Sequence, residues 1–138
     1  MNHANITRQR IAEDQRINHT AAIFGVRFSL QLEPSIYRIA ESIAAEYDGG
    51  YWEFYTLSNG GFYMAPVAYE QFQVCCQNGF EGNLSADALG ITACLYVYSF
   101  LSFSGYEAFA QTCAQQYHWL REYMLDHPEA QAILGAID

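Results

Sequence analysis

The 138-residue chain contains no lysine; its six basic residues are all arginine. Four of them (Arg8, Arg10, Arg16 and Arg27) lie in the first 27 residues against Glu13 and Asp14, so that segment carries +2. The remainder holds Arg38 and Arg121 against 13 acids, or −11, for a net charge of −9. A body this acidic repels a phosphate backbone, so direct nucleic-acid binding is not expected. Cysteine is scarce and unpatterned. Cys75, Cys76, Cys94 and Cys113 form no CxxC pair and no Cys/His zinc spacing, and read as buried free thiols of a reducing compartment. The N-terminus lacks the apolar stretch of a signal peptide. An uncharged run from Ala88 through Tyr106 carries Gly90, Thr92, Ser99, Ser102, Ser104 and Gly105 without close basic anchors, so it reads as a buried helix and not a membrane span. A cytoplasmic location is the expectation.

Apolar and aromatic residues are plentiful. Half the chain is hydrophobic and it holds eleven Tyr and nine Phe, enough for one packed domain. Residues 1–16 are polar, mixed in charge and without period, so they read as a flexible segment preceding a 17–138 domain; His3 and His19 are placed in mobile N-terminal chain. A short helix follows from Ile17 to Phe24, with Asn18 or Thr20 as cap and Gly25 as stop. Pro34 opens the next, whose stripe is Ile36, Ile39, Ala40, Ile43 and Tyr47, stopped at Gly49-Gly50.

Short strands come next. Tyr51 to Leu57 alternates, with Trp52 and Phe54 on one face and Tyr51, Glu53 and Tyr55 on the other. Asn59-Gly60 predicts a type I′ turn into Phe62–Ala65, with Pro66 as terminator. Phe72, Val74 and Cys76 alternate inward, and Asn78-Gly79 turns into Phe80–Leu84. Together these predict a three- or four-stranded antiparallel meander. Ser85 caps a nearly all-apolar helix from Ala86 to about Phe103, with Asp87 favouring its dipole. A last long helix, Tyr106 to Leu125, buries Phe109, Cys113, Tyr117, Leu120 and Met124. His127-Pro128 starts a terminal helix to about Ala136. The fold class is α+β, a single domain with the meander packed on four to five helices.

Enzyme motifs are thin. His118 and Glu122 stand at i, i+4 on one helix face, but two ligands without a third do not make a metal site. No nucleophile elbow surrounds Ser58, no local signature pairs Cys75-Cys76 with a histidine, and neither glycine pair is a P-loop or dinucleotide fingerprint. No catalytic residue, metal or cofactor is expected. The aromatic surplus around residues 51–55 and 62–64 reads equally as an interface or as a sheet covered on both faces. A homodimer stays open on the same ground.

Gly49-Gly50-Tyr51-Trp52-Glu53-Phe54-Tyr55, then Leu57-Ser58-Asn59-Gly60-Gly61-Phe62-Tyr63-Met64-Ala65-Pro66, resembles the signature block of the ArdB/KlcA antirestriction family. The likeness resumes at Asn78-Gly79-Phe80, Leu84-Ser85-Ala86-Asp87-Ala88 and Gly90-Ile91. It appears again at Tyr117-His118, Leu120-Arg121, His127-Pro128-Glu129-Ala130 and Ala136-Ile137-Asp138. It spans roughly residues 20–138; Cys75-Cys76 and the Ser99–Ser104 stretch depart from it. The resemblance implies an α+β domain carried on plasmids or other mobile elements that interferes with type I restriction. It supplies no catalytic residues. The expected partner is a host type I restriction-modification enzyme or an associated host factor, met by protein contact. The alternatives are an acidic mimic occupying the enzyme's DNA groove, or an unrecognised hydrolase; 15 acids on an aromatic body are sparse for a phosphate ladder. Candidate contact residues are Asn59 and Gly60 at the hairpin tip, Glu53, Tyr55 and Tyr63 beside it, and Asp138, whose two carboxylates together could pair with a partner arginine.

Overall fold

The computed structural model describes residues 5–68 and 71–138. Strand β1 (Arg8–Arg10) leads into a 3-10 turn and helix α1 (Arg16–Phe24). A π-helical turn at Phe28–Leu32 runs into α2 (Glu33–Ile43). Strands β2 (Trp52–Leu57), β3 (Phe62–Pro66), β4 (Phe72–Cys75) and β5 (Glu81–Leu84) follow, then α3 (Ala86–Leu101), α4 (Glu107–Met124) and α5 (Ala130–Ile137). The fold is α+β in one domain, with two antiparallel sheets ordered β1-β2-β3 and β4-β5.

The expected meander is therefore split. The two hairpins do not pair with each other, and the third strand beside β2–β3 is β1, from the segment read as flexible. The polar triplet Arg8-Gln9-Arg10 has no apolar alternation to announce it. It is held because Gln9 lies opposite Thr56 while Ile11, 3 % exposed, donates its N–H to Phe54 O at 2.8 Å and anchors the strand in the core. His3 lies outside the described residues.

Both Asn-Gly turns form, but not as type I′. Neither asparagine has positive φ; only Gly60 (102°) and Gly79 (94°) do. Gly60 N–H bonds Leu57 O at 2.9 Å and Leu57 N–H bonds Gly61 O at 2.8 Å, a type I turn closed by a left-handed glycine. The second hairpin repeats it, with Gly79 N–H to Cys76 O at 3.0 Å and Cys76 N–H to Phe80 O at 2.9 Å.

Helix α3 is the most buried helix: twelve of its sixteen residues are buried, against six of eighteen in α4. Ser85 caps it as expected, its Oγ accepting from Ala88 N–H at 3.2 Å. The helix lies along β3 so closely that a Cβ on Gly90 would sit 2.4 Å from Met64 O. Only glycine permits that approach. The stripe of α2 is buried at Ile36, Ala40 and Ile43, but the helix ends before the Gly49-Gly50 stop, because extended Ala44 bridges to Val74. Helix α1 starts at Arg16 without a side-chain cap; Thr20, offered as one, sits buried inside it with its hydroxyl on Arg16 O at 2.8 Å. Gly25 (φ 69°) does end α1. Cys76, Cys94 and Cys113 are buried, whereas Cys75, on the outer face of β4, is exposed. No described helix is long and apolar enough to cross a membrane.

Candidate functional site

Three-stranded sheet geometry puts alternate residues on one face. On the outer face, away from buried Trp52 and Phe54, stand Arg8 and Arg10, then Glu53 and Tyr55, then Tyr63 and Ala65. The first turn of α3 and the α4–α5 connection come over the same face and bring four distant residues into one clasp. Asp87 is its centre. Its Oδ1 accepts from Arg8 Nη1 at 2.7 Å and from the Tyr63 hydroxyl at 2.8 Å. Arg8 Nη1 also reaches Tyr63 Oη at 2.7 Å, and its guanidinium lies 4.2 Å from the Tyr55 ring centroid. Tyr63 stacks on Tyr55, at 5.0 Å, and lies tilted against Tyr123, at 5.8 Å.

His127 closes the clasp from the other side, its Nε2 2.9 Å from Asp87 Oδ2. Its Nδ1 accepts the Glu129 N–H at 3.0 Å, so the ring proton belongs on Nε2 and is donated to the carboxylate. Glu129 in turn takes the Ser85 N–H on Oε1 at 2.9 Å and the Ser85 hydroxyl on Oε2. The α3 N-cap is thereby fixed to the start of α5.

The electrostatics agree with the geometry. Burial alone would raise the Asp87 pKa, but hydrogen bonds from His127 and Tyr63 and the charge of Arg8 outweigh it and hold the carboxyl below its ordinary value. Burial, and then the adjacent Asp87, push the Tyr63 hydroxyl up, so it stays protonated as a donor. Burial opposes the Arg8 charge, but Tyr63 and Asp87 together stabilise it further. A second knot adjoins the first. Arg16 Nη2 donates to Trp52 O at 2.7 Å, to the Tyr51 hydroxyl at 2.9 Å and to Glu53 Oε1 at 3.2 Å; Arg10 reaches Glu53 Oε2 at 3.4 Å. Between the knots opens a shallow cavity of about 450 Å³ lined by Arg8, Tyr51, Glu53, Tyr55, Val67 and Asp87.

The arrangement looks superficially like an Asp–His pair, but both nitrogens of His127 are engaged within the protein, which leaves none to take a proton from a substrate. The clasp positions backbone and offers a surface. His118 and Glu122 are exposed on α4, and among the described residues no group of three metal-ligating side chains gathers.

Of the residues singled out from sequence, the structure brings Glu53, Tyr55 and Tyr63 together. Tyr63 is not a surface group: β3 is covered by α3 and by Tyr123, leaving it 0 % exposed, and only its hydroxyl takes part. Asn59 and Gly60 lie at the far end of the hairpin, and the tip is docked, not free. Asn59 Nδ2 donates to Trp119 O at 2.9 Å, Gln116 Nε2 to Gly60 O at 3.2 Å, and the Trp119 ring covers Gly60. Asp138 is exposed at the end of α5, its N–H on Leu134 O at 3.0 Å. Arg8, Asp87 and His127 escaped the sequence reading. Asp87 passes for a helix-dipole residue and His127 for a helix start; the signal that could have found these two is that both lie inside the family-like blocks, whereas nothing marks Arg8.

The chain belongs to the antirestriction protein family: the family model described as "Antirestriction protein" matches residues 45–138. Among relatives, it is 40 % identical over 136 residues to the Escherichia coli antirestriction protein KlcA, covering 96 % of this chain and 95 % of that one. It is also 40 % identical over 137 residues to the uncharacterized protein YafX of Escherichia coli K12, covering 93 % and 85 %. A solved structure superposes with a TM-score of 0.89 at 38 % identity over 100 % of both chains; it comes from work on KlcA and ArdB reporting a novel fold and antirestriction activity against type I DNA restriction systems in vivo but not in vitro.

Proposed function

We propose that this protein relieves host type I restriction of incoming plasmid or phage DNA inside the bacterial cytoplasm. It does so by contacting a protein, the restriction enzyme or a host factor on which restriction depends. Full-length similarity to proteins with that activity in vivo supports the first part. The observation that carries the second is where the carboxylates are spent. Glu13, Glu33, Glu46, Glu53, Asp87 and Glu129 each hold an internal hydrogen bond or ion pair. A phosphate mimic needs its acids facing outward at the spacing of a duplex; Glu33, Glu53, Asp87 and Glu129 are half-buried and turned to partners within the protein, and only Glu13 and Glu46 of the six are exposed. The engaged nitrogens of His127 argue against the hydrolase reading.

The test is the plating of unmodified phage on a type I-restricting strain with and without the protein. Higher plating with it is expected; equal plating overturns the proposal. Salt-sensitive displacement of DNA from the purified enzyme would transfer the mechanism to mimicry. Contact residues are sought with Glu53→Gln, Tyr55→Phe and Asp138→Asn, which change charge or hydroxyl with little change of shape. Asp138→Asn is expected to leave thermal unfolding unchanged and to reduce phage protection. Unchanged protection in all three moves the contact surface elsewhere.

A further inference from the structure

The two edges of the three-stranded sheet are treated differently. Along an antiparallel pair, only alternate residues turn their backbone N–H and C=O towards the partner. On β3 the residues turned away from β2 are Phe62, Met64 and Pro66, and α3 closes that edge. The Tyr98 hydroxyl donates to Phe62 O at 2.7 Å, Cys94 Sγ approaches Met64 O at 3.7 Å, Gly90 lets the helix backbone in, and Pro66 has no N–H to satisfy.

On β1 the inward residues are Thr7, Gln9 and Ile11: Ser58 N–H bonds Thr7 O at 2.8 Å, Gln9 lies opposite Thr56, and Ile11 N–H bonds Phe54 O at 2.8 Å. The N–H and C=O of Arg8 and Arg10 therefore point outward. Among the described residues no backbone or side-chain group receives them, and the strand is exposed along its whole length. Such an edge is a template for another strand. Its side chains choose the strand. Half the arginines of a −9 chain lie in Arg8–Arg16. Arg10 is 55 % exposed and, among the described residues, held by a 3.4 Å contact to Glu53. A second copy would set arginine against arginine across the pair and is disfavoured.

We propose that the outer edge of β1 receives an extended, acidic segment of the partner protein by strand addition, with main-chain bonds to Arg8 and Arg10 and acidic side chains beside the Arg10 guanidinium. This deepens the protein-contact reading, and its binding assay stands apart from phage plating.

The test titrates the whole protein, labelled for amide NMR, with a ten-residue synthetic peptide of alternating glutamate and threonine, and with the same peptide bearing lysine for glutamate. Saturable shifts and slowed hydrogen exchange are expected at the Arg8 and Arg10 amides with the glutamate peptide only, weakening as salt rises. Arg10→Thr keeps the N–H but loses the charge and should weaken binding roughly threefold, the scale of one exposed ion pair. Arg10→Pro removes an N–H that β2 does not use and should abolish it; if that variant unfolds, Arg10→Thr decides. Equal binding of both peptides, shifts mapping away from β1, or no shifts at millimolar glutamate peptide overturns the proposal. Peptide binding with no phage protection would keep the edge and sink the antirestriction reading; the reverse result would do the opposite.

Discussion

The two hairpins share one turn and differ in everything the strands then do. In each, a type I turn and a left-handed glycine close the loop, and the asparagine oxygen accepts an N–H two residues on at 3.0 Å. In each, the asparagine Nδ2 reaches a main-chain carbonyl of a C-terminal helix, Asn59 to Trp119 O at 2.9 Å and Asn78 to Gly135 O at 3.0 Å. Yet every residue of β3 is buried, whereas β4 alternates buried and exposed and β5 is buried only at Leu84. The difference comes from the strands. Aromatic and apolar residues on both faces of β2 and β3 ask for cover on both faces, which α3 and the clasp supply. The polar alternate residues of β4 and β5 ask for cover on one. Turn chemistry sets the hairpin; strand composition sets whether it becomes a wall of the core or a flap over it.

The sharpest way to break the comparison is Gly90→Ala. The new Cβ would meet backbone of β3 at 2.4 Å, which cannot yield like a flexible side chain, so a loss of about 3 kcal/mol is expected. Gly135→Ala, facing only the Phe80 ring at 2.8 Å, should cost about 1 kcal/mol, because that ring can turn aside. Denaturant midpoints of the two variants, compared at equal m-value, check the pair; equal costs would mean that the wall and the flap are packed alike.

Asp87→Ala comes next. It strands Arg8, Tyr63 and His127 together at a site only partly open to water, and about 2–3 kcal/mol should be lost. The sign of its pH dependence follows from a folded-state pKa held below the ordinary value near 3.8. The Asp87 contribution is fully present above the unfolded-state pKa and disappears as pH falls below about 4 towards the folded-state value. In urea unfolding the gap between wild type and variant should be smaller at pH 3 than at pH 7. A gap of equal size at both would place the effect in packing.

The smallest expected effects sharpen the comparison instead of breaking it. Asn59→Ala and Asn78→Ala each remove a turn acceptor and a carbonyl latch, worth about 1–2 kcal/mol. Asn59 should stand at the upper end, because its tip is covered by Trp119 and Asn78 is more exposed. Amide exchange in β2–β3 and in β4–β5 reads each hairpin separately.

Long periodic or apolar stretches were legible. The α3 helix, its Ser85 cap, the α2 stripe and both hairpins follow from burial pattern and Asn-Gly. Three things were not. Arg8-Gln9-Arg10 has no hydrophobic alternation, so its strand exists only because β2 offers an edge and Ile11 an anchor. Asn-Gly favours a left-handed glycine in either of two turn types, and strand register, invisible locally, decides between them. The clasp joins residues from four segments, and nothing near Asp87 or His127 in the sequence says what each faces. Of the candidate site, Glu53, Tyr55 and Tyr63 came from one legible strand pattern; their partners came from tertiary structure.

The Asn59 and Asn78 latches and the Ser85–Glu129 contact span 60, 57 and 44 positions, and Arg8–Asp87 spans 79. Each local hairpin can form early, but what secures it lies far downstream. Contacts this distant slow the search for the native state, since long loops must close before any of them is rewarded. During synthesis, both hairpins emerge before the carbonyls that hold their tips, with the aromatic wall of β2 and β3 uncovered until α3 follows. Final assembly thus waits for the C-terminal segments, and a nascent chain halted before α4 would lack both tip latches and the His127 and Glu129 arms of the clasp.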